Sequence, residues 1–436
     1  MSVPLDRLYN HLDGLCNHDA LIYRFFPHGS KKLEHLLPLY NIDQSPWHLP
    51  IEKPGMLCHD QEPLMFNQYL EKDMLDFFIH HLPFLPDNPA EIISVKNIIK
   101  EQHLRSVIGT KHSVYDKTLL LHSEKNSANL EQYEQAGFVG VYWWSHAAIS
   151  LDWFRYAQHD PLLAVKFDHI THDFLVYNRA WSGTREYRLK FTELVVNTGL
   201  SEHCQMKFTP KCNGYTYQTF VSANEKLAIS RFDLEDYFKP STADANSSAD
   251  YDNYDYQHTA IEVVLETLFD DARWHLTEKS LRPIACGRPF ILAATAGSLQ
   301  YLRSYGFETF GSVIDESYDT VQDPVERLQR ICKEMKRISK LSQDQKRQLW
   351  QKLYTIAQRN QQLFFSDVWQ QGIFDEFTNN FNCSIGIMQQ FKTGRHWLQF
   401  RDAWNSCPEK FKYIDAKLHQ SMIHQQKVEQ LLKSSI

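Results

Sequence analysis

The stretch HLTEKSLRPIACGRPFILAATAGSLQYLRSYGF, residues 275–307, decides the fold. Pro283 has no amide hydrogen, and deep in a helix its ring clashes with an earlier carbonyl. A helix through it therefore starts close by, capped by Thr277 or Ser280. Gly287 ends that helix, and Pro289–Ala294 is a short apolar run that reads as a buried strand. Ser298 caps the next helix, Gly306 stops it, and Phe307–Ile314 return to a strand. Helix and strand alternating in this way predict an α/β unit with a parallel sheet.

The same alternation recurs upstream. In HDFLVYNRAWSGTREYRLKFTELVVNTGL (172–200), Phe174–Tyr177 form a strand. Gly183 and Thr184 open a helix with Leu189, Leu194 and Val195 inward, and Gly199 closes it. Earlier still, Gly55–Cys58, Leu119–Leu121 and Val139–Trp144 read as strands, with a helix that ends at Gly137 between the last two. The chain thus reads as two α/β halves joined near 165–173: an N-terminal domain, 1–170, and a second domain, 171–370. Residues 371–436 read as an amphipathic helical tail.

Composition narrows the classes of function. The net charge is 46 − 53 = −7, so no global field attracts a polyanion, and a nucleic-acid partner needs a local basic patch. MSVPLDRLYNHLDG has no apolar run after a basic start, and no stretch approaches the ~20 apolar residues of a membrane span. The eight cysteines form no Cys-x-x-Cys pair, which reads as reduced thiols in a cytoplasmic protein without a metal centre.

Two segments stand out by charge. FKPSTADANSSADYDNYDYQH (238–258) is polar and acidic and reads as a flexible, solvated loop inserted in the second domain. Its Asp250, Asp252 and Asp255 also resemble an Asp-x-Asp metal motif. After Asp323-Pro324, a helix start, come two helices. Val325, Leu328, Cys332, Met335 and Ile338 mark the buried stripe of the first; Ser342 caps the second, with Leu349, Leu353 and Ile356 inward. Lys333, Lys336, Arg337, Lys340, Lys346, Arg347, Lys352 and Arg359 decorate them, either as a solvated face or as a surface for a phosphate backbone.

In open α/β folds, ligands bind outside the carboxyl ends of the strands. There is no Gly-x-Gly-x-x-Gly and no Walker loop, which disfavours dinucleotide dehydrogenases and P-loop kinases. What remains is a diphosphate site made from cations and helix starts. Arg179 follows a strand, and Arg185 sits in the first turn after Gly183-Thr184, where free amides and a guanidinium suit phosphate oxygens. Thr277 can cap and bind an oxygen, Glu278 can accept from ribose hydroxyls, and Lys279 can sit on a phosphate. A hydroxyl nucleophile needs a base near it, and Asp60 or Glu62 in CHDQEPL is the candidate, with His146, just past a strand, as the candidate cleft histidine.

The order IEVVLETLFDDARWHLTEKSLRPIACGRPFILAATAGSL (261–299) resembles the donor-binding region of fucosyltransferase-like glycosyltransferases with two Rossmann domains, the GT-B type. The matching positions are Glu266, Thr277, Glu278, Lys279, Gly287 and Pro289. Here Glu266 is followed by Thr267-Leu268 where that family has Asn-Ser, and the gap before Thr277 is longer, so the sugar does not carry over. HDQEPL (59–64), LLHSEKNS (120–127), YNRAWSGTREYRLKF (177–191) and VIDESYD (313–319) extend the resemblance to glycosyltransferases of tailed phages. The resemblance implies two Rossmann-like domains facing across a cleft and a nucleotide-sugar donor with no further cofactor. It also implies transfer, in the host cytoplasm, onto a hydroxyl such as that of hydroxymethylcytosine in double-stranded DNA. A glycan or small acceptor, or a binding protein that has lost catalysis, are the alternatives.

Overall fold

A computed structural model describes residues 139–223, 236–243 and 247–392, residues 118–127, short strands at 3–4, 21–23, 33–34 and 55–58, and Arg7 and His11. The protein is α/β, with parallel sheets and helices.

The chain divides into two compact units. One comprises Met1–Leu8, Pro27–Leu36 and Trp144–Phe374; the other comprises Tyr9–Phe26, Leu37–Trp143 and Asp375–Ile436. The joint thus falls between Trp143 and Trp144 rather than near 170, and it falls again inside the helix Asp367–Lys392. Helix Ser145–Trp153 explains the earlier joint. It is buried along its whole length and belongs to the unit that continues to Phe374, although it reads in sequence as the sequel of the strand before it.

In the first unit, β1 (Val3–Pro4) pairs with β3 (Leu33–Glu34). Its main sheet is formed by β7 (His172–Asn178), β8 (Cys204–Phe208), β11 (Thr259–Leu265) and β12 (Phe290–Ala293), all parallel, in the order β12-β11-β7-β8. Between β8 and β11 the chain makes a small antiparallel ribbon of β9 (Lys211–Cys212) and β10 (Tyr215–Thr216). β11 is buried at every residue, as a central strand covered on both faces must be. β8 alternates buried and half-buried residues, as an edge strand does. From β7 the chain steps outward to β8, then returns to lay β11 and β12 on the other side. The direction of winding therefore reverses between β7 and β11. Right-handed crossovers on either side of such a point leave a crevice at the carboxyl ends of those two strands.

In the second unit, β2 (Leu21–Tyr23), β4 (Gly55–Cys58), β5 (Thr118–His122) and β6 (Val139–Tyr142) are also parallel, but stand in simple chain order. No reversal occurs among these described strands.

Phe307–Ile314 do not return to the sheet. Phe307, Phe310 and Ile314 are buried, but on irregular backbone tied down by the Glu316 carboxylate, which accepts from the Phe310 amide at 2.6 Å. Burial without a strand partner gives the same apolar signature as a strand. Ser298 is the first residue of its helix (Ser298–Ser304) rather than the cap, which is Gly297 in the left-handed region. Of the stripe on helix Pro324–Ser339, Val325 is exposed and the other four are buried. Asp323 and Ser342 cap the two long helices as expected, Ser342 in a reciprocal capping box with Gln345.

The segment 238–258 is not a solvated tether. Ser247, Ser248, Ala249, Asp255 and Tyr256 are buried, and 253–258 is helical. Asp252 caps that helix by accepting from the Tyr254 amide at 2.9 Å. Asp255 accepts from the Tyr177 hydroxyl at 3.0 Å and pairs with Lys207 at 2.9 Å.

Candidate functional site

The carboxyl edge of β11 is built around one carboxylate. Glu266, fully buried, follows the last residue of the strand. Its Oε2 accepts from the Thr267 amide at 3.0 Å and from the Thr277 hydroxyl at 2.9 Å. Its Oε1 accepts from the amides of Thr277 and Ser280 at 2.9 and 3.2 Å, and from the Ser280 hydroxyl at 2.6 Å. These bonds satisfy amides at the start of helix Glu278–Ala285, whose cap is Thr277. Glu266 is therefore the anchor of this helix start.

The first turn of that helix presents Glu278 and Lys279. The Lys279 Nζ reaches the Thr267 hydroxyl at 3.2 Å, the Thr277 hydroxyl at 3.0 Å and Glu278 Oε1 at 3.1 Å. Its side chain retains 12% exposure, against 4% for Glu278. Burial alone would raise the Glu278 pKa, but Lys279, His146 and the Ser248 hydroxyl hold it well below the usual carboxylate range. His146 Nε2 lies 3.7 Å from Glu278 Oε2, and the His146 ring meets that of His275 edge-on at 4.9 Å. His146 is fully buried and falls in the same compact unit as this helix, not in the unit that holds β2, β4, β5 and β6.

At the reversal between β7 and β11 sits a residue that sequence reasoning missed. Arg188 is buried, and its guanidinium donates to the carbonyls of Ala180, Leu265 and Glu266 at 2.6, 2.7 and 2.9 Å. It ties the loop after β7 to the end of β11. Tyr187 beside it donates to the carbonyls of Glu266 and Ala293, joining the ends of β11 and β12. Burial pushes the Tyr187 hydroxyl up to about 12. A signal for Arg188 was present: it heads the run Arg188, Phe191, Thr192, Val195, which has helical spacing and is buried throughout.

Arg185 lies in the short turn Gly183–Arg185 that leads into helix Tyr187–Asn197; neither the turn nor the helix has a side-chain cap. Its charge is felt by both Tyr187 and Arg188. Arg179 packs over the Tyr177 ring, 4.2 Å from its centroid, and donates to the Ser247 carbonyl. Arg179, Arg185, Thr277, Glu278 and Lys279 thus share the carboxyl edge of one sheet. Asp60 and Glu62 lie outside the described residues. In the other unit, Glu124, just past the end of β5, is buried and accepts from the Ser127 hydroxyl at 2.9 Å; sequence reasoning passed over it.

Fold and topology together define an α/β protein whose candidate site residues gather at the strand ends of one parallel sheet. Comparison with family models, with curated proteins and with solved structures finds no match to this chain. No helix among the described residues is long and apolar enough to cross a membrane.

Proposed function

We propose that the protein is a glycosyltransferase that moves a sugar from a nucleotide-sugar donor to an acceptor hydroxyl. The observation that carries this reading is the placement of Lys279. Its ammonium is fixed by two threonine hydroxyls at the start of a helix, on the carboxyl edge of a parallel sheet and next to its winding reversal. A fixed ammonium stabilises a departing diphosphate without need of a metal, at about 1.5–3 kcal/mol per charge-assisted bond. In this reading Lys279 and Arg185 hold the diphosphate, Arg188 and Glu266 keep the backbone in place, and Glu278 accepts from the nucleoside sugar. The finer architecture we propose is the two-lobed GT-B one, in which the unit of β2, β4, β5 and β6 holds the acceptor and supplies the base, Asp60 or Glu62.

Hydroxymethylcytosine in DNA is the acceptor that the phage resemblance implies. On the two long helices Lys333, Lys340 and Lys352 stand exposed. Arg337, Arg347 and Arg359 each bond a carboxylate, and Lys346 is buried on Asp173 at 2.7 Å. Any DNA-facing charge on these helices is therefore a handful of lysines, and a glycan acceptor competes on equal terms.

The test is a thermal-shift screen of nucleotide-sugars, followed by mass spectrometry of hydroxymethylcytosine DNA and of glycans incubated with those that bind. Lys279→Ala should keep the fold and weaken diphosphate binding by about 10- to 100-fold. A folded Lys279→Ala protein with full affinity would remove Lys279 from the site. No affinity for any nucleotide diphosphate would sink the reading.

A further inference from the structure

The segment 247–250 sits where its composition would not put it. Ser247, Ser248 and Ala249 are buried, and two arginines from different elements hold consecutive carbonyls of this short stretch. Arg179, at the end of β7, donates to the Ser247 carbonyl. Arg282, from helix Glu278–Ala285, donates to the Ser248 carbonyl. The two guanidiniums pack on one ring, that of Tyr177, with centroid distances of 4.2 and 4.6 Å. The Ser248 hydroxyl bonds Glu278, one turn before Arg282 on the same helix.

The charges here are unevenly matched. Arg282 has a buried carboxylate of its own, Glu262. Arg179 forms no ion pair among the described residues; it holds a neutral carbonyl and feels Asp250 at longer range. Burial and the Arg282 charge together lower the Arg179 pKa. A partly buried guanidinium facing a carbonyl is served less well than one facing an oxyanion, since charge-assisted bonds are roughly twice as strong as neutral ones. In pattern, two carbonyl oxygens on guanidiniums, an acid nearby and a hydroxyl on a carboxylate reproduce what a phosphorylated, hydroxyl-bearing ligand would present.

We propose that residues 247–250 form a pseudo-ligand strap that occupies the Arg179–Arg282–Glu278 site and is displaced by a nucleoside diphosphate. This rests on the nucleotide-sugar reading above and adds a regulatory element to the same site. The strap carbonyls leave Arg179 and Arg282 to ligand oxygens beyond those that Lys279 and Arg185 hold, and Ser248 leaves Glu278 to a ligand hydroxyl. Apparent affinity is then the intrinsic affinity reduced by the fraction of molecules with the strap released. Arg282 remains neutralised by Glu262 in both states, so Arg179 is the residue whose partner changes most.

The test uses the full chain, with UDP, GDP, ADP and inorganic pyrophosphate as probes in calorimetry and hydrogen–deuterium exchange. Ser248→Ala and Asp250→Ala loosen the strap and keep the side chains of Arg179, Arg282 and Lys279, the second also removing a charge that Arg179 feels. Each should keep the fold by circular dichroism and bind the best diphosphate at least threefold more tightly than the wild type. In the wild type, that ligand should speed exchange of the 247–250 amides while slowing exchange in 278–285. Wild-type binding with unchanged protection of 247–250, or variants that bind no better, overturns the strap and leaves the nucleotide reading standing. No binding by wild type or variants overturns both.

Discussion

Two strand-to-helix junctions lie side by side on one sheet edge and solve the same problem differently. After β11, helix Glu278–Ala285 begins on Glu266, a buried carboxylate from the strand end itself. After β12, helix Ser298–Ser304 begins on Asp319, a buried carboxylate from a later segment that accepts from the Leu299 amide at 3.1 Å. Both carboxylates satisfy amides that a helix start leaves bare. The difference is what else stands in the first turn. The β12 junction carries Ser298, Leu299 and Gln300, so Asp319 completes it. The β11 junction adds Glu278 and Lys279, a charged pair beyond the Thr277 cap and the Glu266 anchor. A junction that is merely structural is closed by its cap. A junction with charge beyond its cap is where a ligand is to be sought.

The largest expected effect tests whether the two caps really differ. Glu266→Ala removes the acceptor of three amides and two hydroxyls, all buried. Each buried donor left without a partner costs about 1–3 kcal/mol, so the variant should lose about 3 kcal/mol or more in urea unfolding. Asp319→Ala, an ordinary loss of a cap, should cost about 1–2 kcal/mol. Equal losses would break the comparison.

A smaller effect concerns how the two helices end. Gly287 lies in the left-handed region at φ +63°, and the amides of Gly287 and Arg288 bond back to the carbonyls of Ile284 and Pro283 at 3.1 and 2.8 Å. Gly306 ends the second helix in the same pattern. A β-carbon on Gly287 would meet the Gln361 amide at 3.1 Å, whereas one on Gly306 would meet only Leu363 at 3.4 Å. Gly287→Ala should therefore cost about 1–2 kcal/mol, and Gly306→Ala should fall at the lower end of that range. Chemical denaturation of the two variants side by side checks this.

These junctions also show what the sequence makes legible. Thr277, Gly287, Gly306, Asp323 and Ser342 announce helix ends because capping is a local matter of dihedral angles and amides within a few residues. Strands 55–58, 118–122 and 290–293 declare themselves as apolar runs. Local signals fail where the deciding partner is remote in sequence. Nothing near Ser247 reveals that Arg179 and Arg282 will take its strand of carbonyls, so an acidic segment reads as a tether. Nothing near Arg188 says that its charge will be spent on three carbonyls, two of them 77 and 78 residues away. Phe307–Ile314 mislead for a related reason, since apolar content reports burial and not hydrogen bonding. Of the candidate site, the Thr277-Glu278-Lys279 turn was legible, and the carboxylate role of Glu266 within it was not.

The smallest effect separates the two junctions by pH, through opposite signs. The folded-state pKa of Glu278 lies below its ordinary 4.5, so the folded protein resists protonating it. Its contribution to stability is complete above that value and is lost as pH falls toward the lowered one. Burial raises the pKa of Asp319 above its ordinary 3.8, so the folded protein takes up that proton more readily than the unfolded chain. Its contribution runs the other way, and stability rises as pH falls through the raised value. Urea unfolding between pH 6 and pH 3 should therefore show a shallower acid loss in Glu278→Gln than in wild type, by on the order of 1 kcal/mol. Asp319→Asn should show a steeper loss, because the opposing contribution is gone. Parallel curves for all three proteins would mean that neither carboxylate feels its junction as the geometry implies.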